Sequence, residues 1–563
     1  MATICDVSNR NELAAFLGIK KRILTFLLYV QKVESYYYTF DIAKKNGGTR
    51  KICASNGILK KIQKRLANEL AEHQKNILES KGIKRNISHA FEKNKNIITN
   101  ARIHKNKRFV MNLDLEDFFN SFHFGRVLGY FEKNDYFRLP REVAVIIAQL
   151  SCYNGRLPQG SPCSPIITNL ICQIIDNRLL KIAKHYKLDY TRYADDLTFS
   201  TNNTAFINTH KLFYKDVCKE IKKFGFTINN NKTRLQFKNS RQEVTGLIVN
   251  QKLNVNKKYR KATRAMVYKL CTTGKFQING TVGTMKQLEG RLAFIDYVDK
   301  YNNANDNQNK KHNRNTLSSR EKQYQLFLFY KYFFSNDKPL IITEGKTDIV
   351  YLKSALKKLC SDYPNLITKN INGNFEYKIS FLKRTKRLKY FFGISEDGAD
   401  TMKNLYDYFV KGPKQKCNKY LYDLLFSLSN KKPTKQVVFL FDNELINKEK
   451  PLSKFIKAIN LVDDNKKIFT ENLFVRLIPD RNVFLLTNQT VKEKTDAEIE
   501  DLFDAKTLGH VINGKTFSRD KNFENTTYYG KDHFSKYIAK NYKNINFDGF
   551  KVLLNKINTI IEL

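Results

Sequence analysis

Apolar residues recur at helical spacing from about residue 8 to residue 90, which predicts mainly helices there. The basic stretch Lys44-Lys45-Asn46-Gly47-Gly48-Thr49-Arg50 interrupts them as a turn. Between residues 109 and 249 short β-rich runs (109–115, 190–193, 197–200 and 243–249) alternate with helical stretches. Residues 257–298 read as basic and helical. Residues 301–314 are nearly all Asn, Lys, Asp and His; they cannot bury a core and predict a linker or loop. Beyond them, strands at 339–343, 436–441, 473–478 and 483–486 and a helix at 347–359 predict a parallel α/β sheet. No internal repeat is visible.

The length, 563 residues, suggests three or more domains. With 42% hydrophobic residues the chain can build sizeable cores. Its 99 Lys and Arg against 54 Asp and Glu give a net charge of +45, a surplus that repels itself unless a polyanion neutralises it. Nucleic acid is the first partner this implies. From Ser335 onward lie 40 basic and 28 acidic residues, leaving +12 there and +33 before it. The most apolar run near the N-terminus, residues 23–30, is too short to cross a bilayer, and the first residues lack the pattern of a signal peptide. Nine scattered cysteines without a C-x-x-C pair argue against a zinc site or disulfide framework and predict reduced thiols in a cytoplasmic protein; an anionic membrane surface is the second partner the charge allows, and no membrane partner is expected.

Asn112-Leu113-Asp114-Leu115 ends an apolar run in an aspartate, and Tyr193-Ala194-Asp195-Asp196 sets two more in a turn between short strands. An isolated Asp-Asp pair is ordinarily a solvated turn, but buried neighbours repel strongly unless cations hold them. Mg²⁺ takes oxygen ligands and keeps phosphates in its shell. Two such ions can activate a 3′-hydroxyl and stabilise a leaving pyrophosphate. Leu157-Pro158-Gln159-Gly160-Ser161-Pro162 lies between the two motifs, and the set in this order and spacing resembles the reverse transcriptases. The resemblance implies a right-hand polymerase of fingers, palm and thumb, with Asp114, Asp195 and Asp196 as its catalytic, Mg²⁺-binding carboxylates. Phe119 would be the bulky gate against a ribose 2′-hydroxyl, with plain core packing as the alternative. Gln159 and Gly160 would sit beside the incoming dNTP and template. Lys232, in Asn230-Asn231-Lys232-Thr233, would lie near the triphosphate unless it is simply solvated. Lys45 and Arg50 would grip that triphosphate, Lys44 competing with Lys45.

Asn100-Ala101-Arg102-Ile103-His104 resembles the N-A-x-x-H element of bacterial retron reverse transcriptases, and Val244-Thr245-Gly246 their V-T-G triplet. A surface His104 and a strand-end Gly246 are the ordinary alternatives. The retron resemblance covers about residues 10–330. It implies a cognate structured non-coding RNA, priming from the 2′-hydroxyl of a guanosine in it, and a branched product called multicopy single-stranded DNA. It further implies a role in anti-phage defence. Lys257, Lys258, Arg260, Lys261 and Arg264 suit contact with RNA phosphates, against the alternative of a solvated basic helix face.

In the C-terminal part, Leu340-Ile341-Ile342-Thr343-Glu344-Gly345-Lys346-Thr347-Asp348 reads as strand, Gly turn and helix start, and Val437-Val438-Phe439-Leu440-Phe441-Asp442-Asn443-Glu444 as a second strand ending in acids. Sites in open parallel sheets form beyond the carboxyl ends of strands. Glu344, Asp442 and Glu444 are therefore candidates to converge on a metal ion for phosphodiester cleavage or transfer. The pattern resembles the toprim domain of topoisomerases, primases and overcoming-lysogenisation-defect nucleases, with Asp-Asn-Glu where the family has D-x-D. Glu498, Glu500 and Asp501 resemble a later acidic element of the nuclease branch, or form a solvated helix face. Lys346 could steady a phosphate or lie on the surface.

The sequence thus predicts a multidomain α+β and α/β protein: fingers and palm over residues 1–250, thumb and linker over 251–334, and a toprim-like parallel α/β domain over 335–563. It would be a retron reverse transcriptase fused to a nuclease effector, using Mg²⁺ and dNTPs, with its RNA and branched DNA as partners; self-association stays open. The rival readings are a polymerase with a non-catalytic C-terminal scaffold, a mobile-element reverse transcriptase, and a non-enzymatic RNA-binding protein.

Overall fold

The computed structural model describes residues 3–44, 47–83, 87–304, 316–395, 401–410, 420–478, 480–491, 494–520 and 523–563. They fall into two compact units: Met1–Lys257 with Val298–Asn302, and Lys258–Tyr297 with Asn303–Leu563.

In the first unit, the helical expectation for residues 8–90 meets an exception. Strands β1 (Tyr37–Ala43) and β2 (Thr49–Ser55) form an antiparallel hairpin, paired from Tyr37↔Ser55 to Ala43↔Thr49. Tyr37, Tyr38, Thr39, Phe40 and Ile42 are the aromatic and β-branched residues that suit strands, and Gly47 and Gly48 turn the chain at φ 90° and 77°. Helix α1 (Gly57–Ser80) follows and buries Leu59, Ile62, Leu66 and Leu70 along one stripe.

A four-stranded antiparallel sheet carries the aspartates. Its strands are β3 (Phe109–Asp114), β4 (Asp189–Tyr193), β5 (Asp196–Thr201) and β6 (Arg234–Phe237), in the order β4-β5-β3-β6. Helix α2 (Ser164–His185) buries Ile167, Leu170, Ile171, Ile175 and Leu179, and helix α3 (Phe206–Lys223) buries Phe213 and Val217. Leu113, Leu197 and Phe199 are almost fully buried, each worth about 1.5–3 kcal/mol of apolar burial. Residues 243–249 are not one strand but a hairpin of β7 (Glu243–Val244) and β8 (Leu247–Ile248), because Thr245 and Gly246 take φ 46° and 81°.

The basic segment forms helices α4 (Lys257–Thr273) and α5 (Met285–Ala304), separated by a short hairpin of Gln277–Ile278 with Thr281–Val282; residues 258–297 of it belong to the second unit. Tyr301–Ala304 thus ends a helix, whereas the expected linker at 305–314 lies outside the described residues. Val267, Leu270, Leu288 and Leu292 share one hydrophobic core with Phe327, Phe333, Leu340 and Phe439. That core backs a five-stranded sheet built from β9 (Leu340–Ile342), β10 (Ser380–Phe381), β11 (Val437–Phe441), β12 (Phe474–Ile478) and β13 (Val483–Thr487). The order is β10-β9-β11-β13-β12. Four strands are parallel, as expected; β12 departs and runs antiparallel to β13, joined to it by only a short connection. Helix α6 (Lys346–Lys358) follows β9, and α7 (Lys531–Asn541) and α8 (Lys551–Glu562) close the chain. Their buried Phe534, Ile538, Leu553 and Leu554 pack with Tyr351 and Leu352 of α6.

Candidate functional site

The register Asp114↔Asp196 between β3 and β5 sets two carboxylate-bearing residues side by side, and Tyr193↔Asp196 closes the β4–β5 turn that presents Asp195. Ala194 in that turn has φ 56°, a left-handed conformation that a side chain disfavours. Leu115 N–H donates to the Asp195 carbonyl at 3.0 Å, tying the turn to β3. Lys232 Nζ donates to both Asp114 oxygens at 2.9 Å, which lifts the lysine above its ordinary pKa. Burial, then the Asp195 and Asp114 charges, push Asp196 up to about 7. Asp195 is raised too, by burial first, with Asp114 adding to it and Lys232 and Arg50 opposing. The three aspartates therefore hold more negative charge than the lysine balances.

The other sequence-predicted residues of this unit fall at varied distances from that centre. Arg50 stands on β2, close enough to act on Asp195 electrostatically. Cys53 N–H of β2 donates to the Gln159 carbonyl at 2.8 Å. Gly160 has φ 129°, and a Cβ there would stand 2.7 Å from the Cys53 carbonyl oxygen, so this close approach requires glycine. Phe119 is half-buried, packed edge-on to Phe118 at 5.4 Å and facing Phe91 at 6.3 Å. Lys45 lies outside the described residues. On α4, Lys257, Lys258, Lys261 and Arg264 are exposed and Arg260 is half-buried.

His104 is not on the surface. It is fully buried between β4 and β5, with Nδ1 2.7 Å from Ser200 Oγ and Nε2 2.7 Å from Thr191 Oγ1, and burial pulls its pKa down to about 3. Gly246 is a turn residue, and Thr245 beside it donates to the Ile97 carbonyl at 3.4 Å.

The second acidic centre lies at the carboxyl ends of β9 and β11. Glu344 Oε1 accepts the Asp442 N–H at 2.9 Å, and Asp442 Oδ1 accepts the Ile499 N–H at 2.9 Å. Glu344, Asp348 and Asp442 line one cavity so tight that it has no room for a water molecule. Burial pushes Glu344 up to about 8 and Asp348 to about 6; Asp442 is pushed far up, by burial and then by Glu344. Glu444 is buried but turned to Lys450, Oε1 to Nζ 2.6 Å, though its charge still reaches Glu344. Lys346 pairs with Asp532 at 3.1 Å. Of the later acids, Glu500 is fully buried, not on a solvated face, and shares Lys531 with the partly exposed Glu498, both at 3.1 Å. Burial works against ionised Asp501, but Lys494 and Arg519 outweigh it and lower its pKa.

Sequence reasoning passed over Asp348, Lys531, Asp176 and Arg192. Asp348 could have been found: it caps α6 by accepting Gly345 N–H at 2.7 Å, a position that follows from the Glu-Gly turn and the helix after it. Among the described residues, no three His, Cys, Asp or Glu side chains stand together as a ready metal-ion site. The donors at both centres are nevertheless all carboxylate oxygens, the ligand type a hard divalent cation takes, and a bound cation would favour their ionised forms. Asp114, Asp195 and Asp196 could hold one in the first unit, and Glu344, Asp348 and Asp442 in the second.

Residues 42–250 match the family described as reverse transcriptase (RNA-dependent DNA polymerase). The retron Ec86 reverse transcriptase of Escherichia coli is 31% identical over 294 residues, 52% of this chain and 85% of that protein. The retron Mx65 reverse transcriptase of Myxococcus xanthus is 32% identical over 305 residues, 50% of this chain and 67% of that protein. The retron Mx162 reverse transcriptase of the same organism is 29% identical over 327 residues, covering 53% and 65%.

Proposed function

The chain belongs to the retron reverse transcriptase family, and we propose that it copies part of a cognate structured RNA into branched single-stranded DNA. The observation that carries this reading is the Asp114↔Asp196 register with Asp195 in the adjoining turn and Lys232 on Asp114. These carboxylates would hold magnesium, which when bound supplies charge to activate a 3′-hydroxyl and stabilise a leaving pyrophosphate. Asp114 and Asp196 approach from neighbouring strands and Asp195 from the turn, so rigid backbone rather than loop motion sets their spacing. Lys232 neutralises Asp114 in the free protein and is half-exposed, free to swing toward a triphosphate. Arg50 adds positive charge on the β2 side, Gln159 and Gly160 hold that strand to the loop before α2, and Phe119 presents the ring that would exclude a 2′-hydroxyl. The exposed cations of α4 would track RNA phosphates. The test is Asp196→Asn: cells expressing it should contain no branched DNA, and normal amounts would sink the reading.

We propose further that residues 335–563 form a toprim-like effector acting on nucleic acid in anti-phage defence. Its support is the convergence of Glu344, Asp348 and Asp442 at the carboxyl ends of parallel strands, with Glu444 and Glu500 close by. Of the alternatives, a non-catalytic scaffold keeps one argument in its favour, the tightness of that cavity. Loss of protection in Glu344→Gln with normal DNA decides against it.

A further inference from the structure

Arg192 is a large charged side chain with only 1% of its surface exposed, and no step proposed above uses it. Its guanidinium makes a two-pronged pair with Asp176 of α2: Nε to Oδ1 and Nη2 to Oδ2, both at 2.9 Å. The third nitrogen, Nη1, points the other way, 3.2 Å from Asn169 Oδ1 and 3.3 Å from the carbonyl oxygen of Ala194. Ala194 is the left-handed residue immediately before Asp195. The Arg192 backbone is held as well: its N–H donates to Ile87 O at 2.8 Å and its carbonyl accepts from His89 N–H at 2.9 Å. Asn169 in turn accepts from Ser88 Oγ at 3.1 Å and donates to Ala90 O at 2.8 Å. One residue, by its side chain and backbone together, thus joins helix α2, the segment at 87–90 and the aspartate turn.

We propose that Arg192, anchored by Asp176, is a positioning residue that fixes the Ala194 carbonyl and through it the aim of Asp195 and Asp196. This rests on the reading of those aspartates as catalytic. Stability alone does not call for such a pair, since well-packed apolar residues replace buried ion pairs with little or no loss. What an apolar pair cannot do is hold a carboxylate, an amide and a carbonyl at once, which needs the rigid fork of a guanidinium. The carbonyl it holds belongs to a residue in a disfavoured conformation, the kind of backbone that persists only when its surroundings over-determine it.

The test measures DNA synthesis by the full chain on poly(rA) primed with oligo(dT). Asp176→Asn keeps the volume but removes the charge that orients the fork. We expect kcat to fall about 10–100-fold, with KM for dTTP within about twofold because the triphosphate-facing residues are untouched. Because the buried guanidinium loses its counter-charge, the melting temperature should fall by several degrees, so kcat is taken per folded molecule at a temperature where the variant is folded; hydrogen exchange at the Leu115 amide, which is bonded to the Asp195 carbonyl, should quicken. Arg192→Lys should shift kcat the same way, since one ammonium cannot span both partners; it decides the matter if Asp176→Asn does not fold. Tyr190→Phe removes only the Tyr190 hydroxyl's bond to Asp176 (2.9 Å) and should leave kcat unchanged. An unchanged kcat in Asp176→Asn and Arg192→Lys overturns the proposal. So does a loss that merely follows the unfolded fraction, or an equal loss in Tyr190→Phe. Full synthesis by Asp196→Asn would instead overturn the underlying reading of the aspartates.

Discussion

The chain carries two acidic centres, and they are built on opposite principles. In the first unit, three aspartates sit at the ends of the two central strands of an antiparallel sheet and in the turn beside them, with a lysine already on one of them and further positive charge from Arg50 and Arg234 in electrostatic reach. In the second, Glu344, Asp348 and Asp442 are sunk at the ends of parallel strands; Arg384 acts on Glu344, and Lys531 acts on Asp348 while paired with Glu498 and Glu500. The first centre is partly compensated and open. In the second, burial outweighs Arg384 and Lys531 and raises all three carboxyls, so protons do much of what cations do in the first. The contrast teaches that a matching carboxylate count does not make matching sites: what decides readiness is where the balancing charge comes from. A polymerase active site must accept a charged triphosphate at every step, which favours balancing charges on flexible, exposed stems such as Lys232.

The strongest break in the comparison is Asp196→Asn. An amide cannot supply the charge that holds a metal ion, and metal-assisted charge stabilisation is worth several kcal/mol, so DNA synthesis should drop by about 10³-fold or more. Neutralising an unfavourably buried carboxylate should leave the fold intact. Extraction of branched DNA from expressing cells, with a melting curve of the purified mutant, checks both halves.

Glu344→Gln is the mirror-image cut. It lies in the second unit, so branched DNA should accumulate as in the wild type, while, if the proposed effector role holds, phage protection and any growth arrest that depend on it should disappear. Full protection with unchanged DNA levels would favour a scaffold over a catalytic centre.

A weaker contrast concerns charge beyond the two centres. Net +33 before Ser335 against +12 after it predicts that the chain purifies with nucleic acid bound mainly through its N-terminal part. Counterion release makes such binding steeply salt-dependent, so a high-salt wash should strip it by orders of magnitude in affinity. The ratio of absorbance at 260 and 280 nm before and after the wash is the measurement; protein free of nucleic acid at low ionic strength would contradict it.

The two centres also differed in how legible they were. Asp114, Asp195 and Asp196 were expected at one centre because their motifs, in order and spacing with Leu157–Pro162, resemble the reverse transcriptases; by itself the Asp-Asp pair reads as a solvated turn. Glu344 and Asp442 were readable as acids at the ends of apolar strands. Glu444 was not: its place at the strand end is as expected, but Lys450, six residues on, turns its carboxylate aside. The β1–β2 hairpin was hidden because its residues are mostly exposed, so no buried face imposed an alternation on the helical pattern around it. Arg192 and Asp176 could not be paired from sequence at all, because nothing in local spacing says that a strand arginine will meet a helix aspartate sixteen residues before it.

The finest distinction between the centres is in pH. Glu344 sits at about 8 against an ordinary 4.5, and Asp196 at about 7 against 3.8. Both folded values are raised, so the folded state binds more protons than the unfolded one between each pair of values. The stability these protons confer is complete below the unfolded value and is lost as pH rises through the folded one. For Asp196 that loss is largely over near pH 7, whereas for Glu344 it continues through pH 8. Between pH 7 and 8.5, without added divalent cations, the second unit should therefore lose more stability than the first. Glu344→Gln cannot ionise and should flatten that decline, melting a few degrees above the wild type at pH 8.5 but little differently at pH 5. Asp196→Asn should give its smaller gain already by pH 7. Calorimetric scans of the full chain at the three pH values make the comparison. If Glu344→Gln instead melted lower at pH 8.5, the carboxylate would have to be ionised and held by Arg384, and the second centre would be compensated after all.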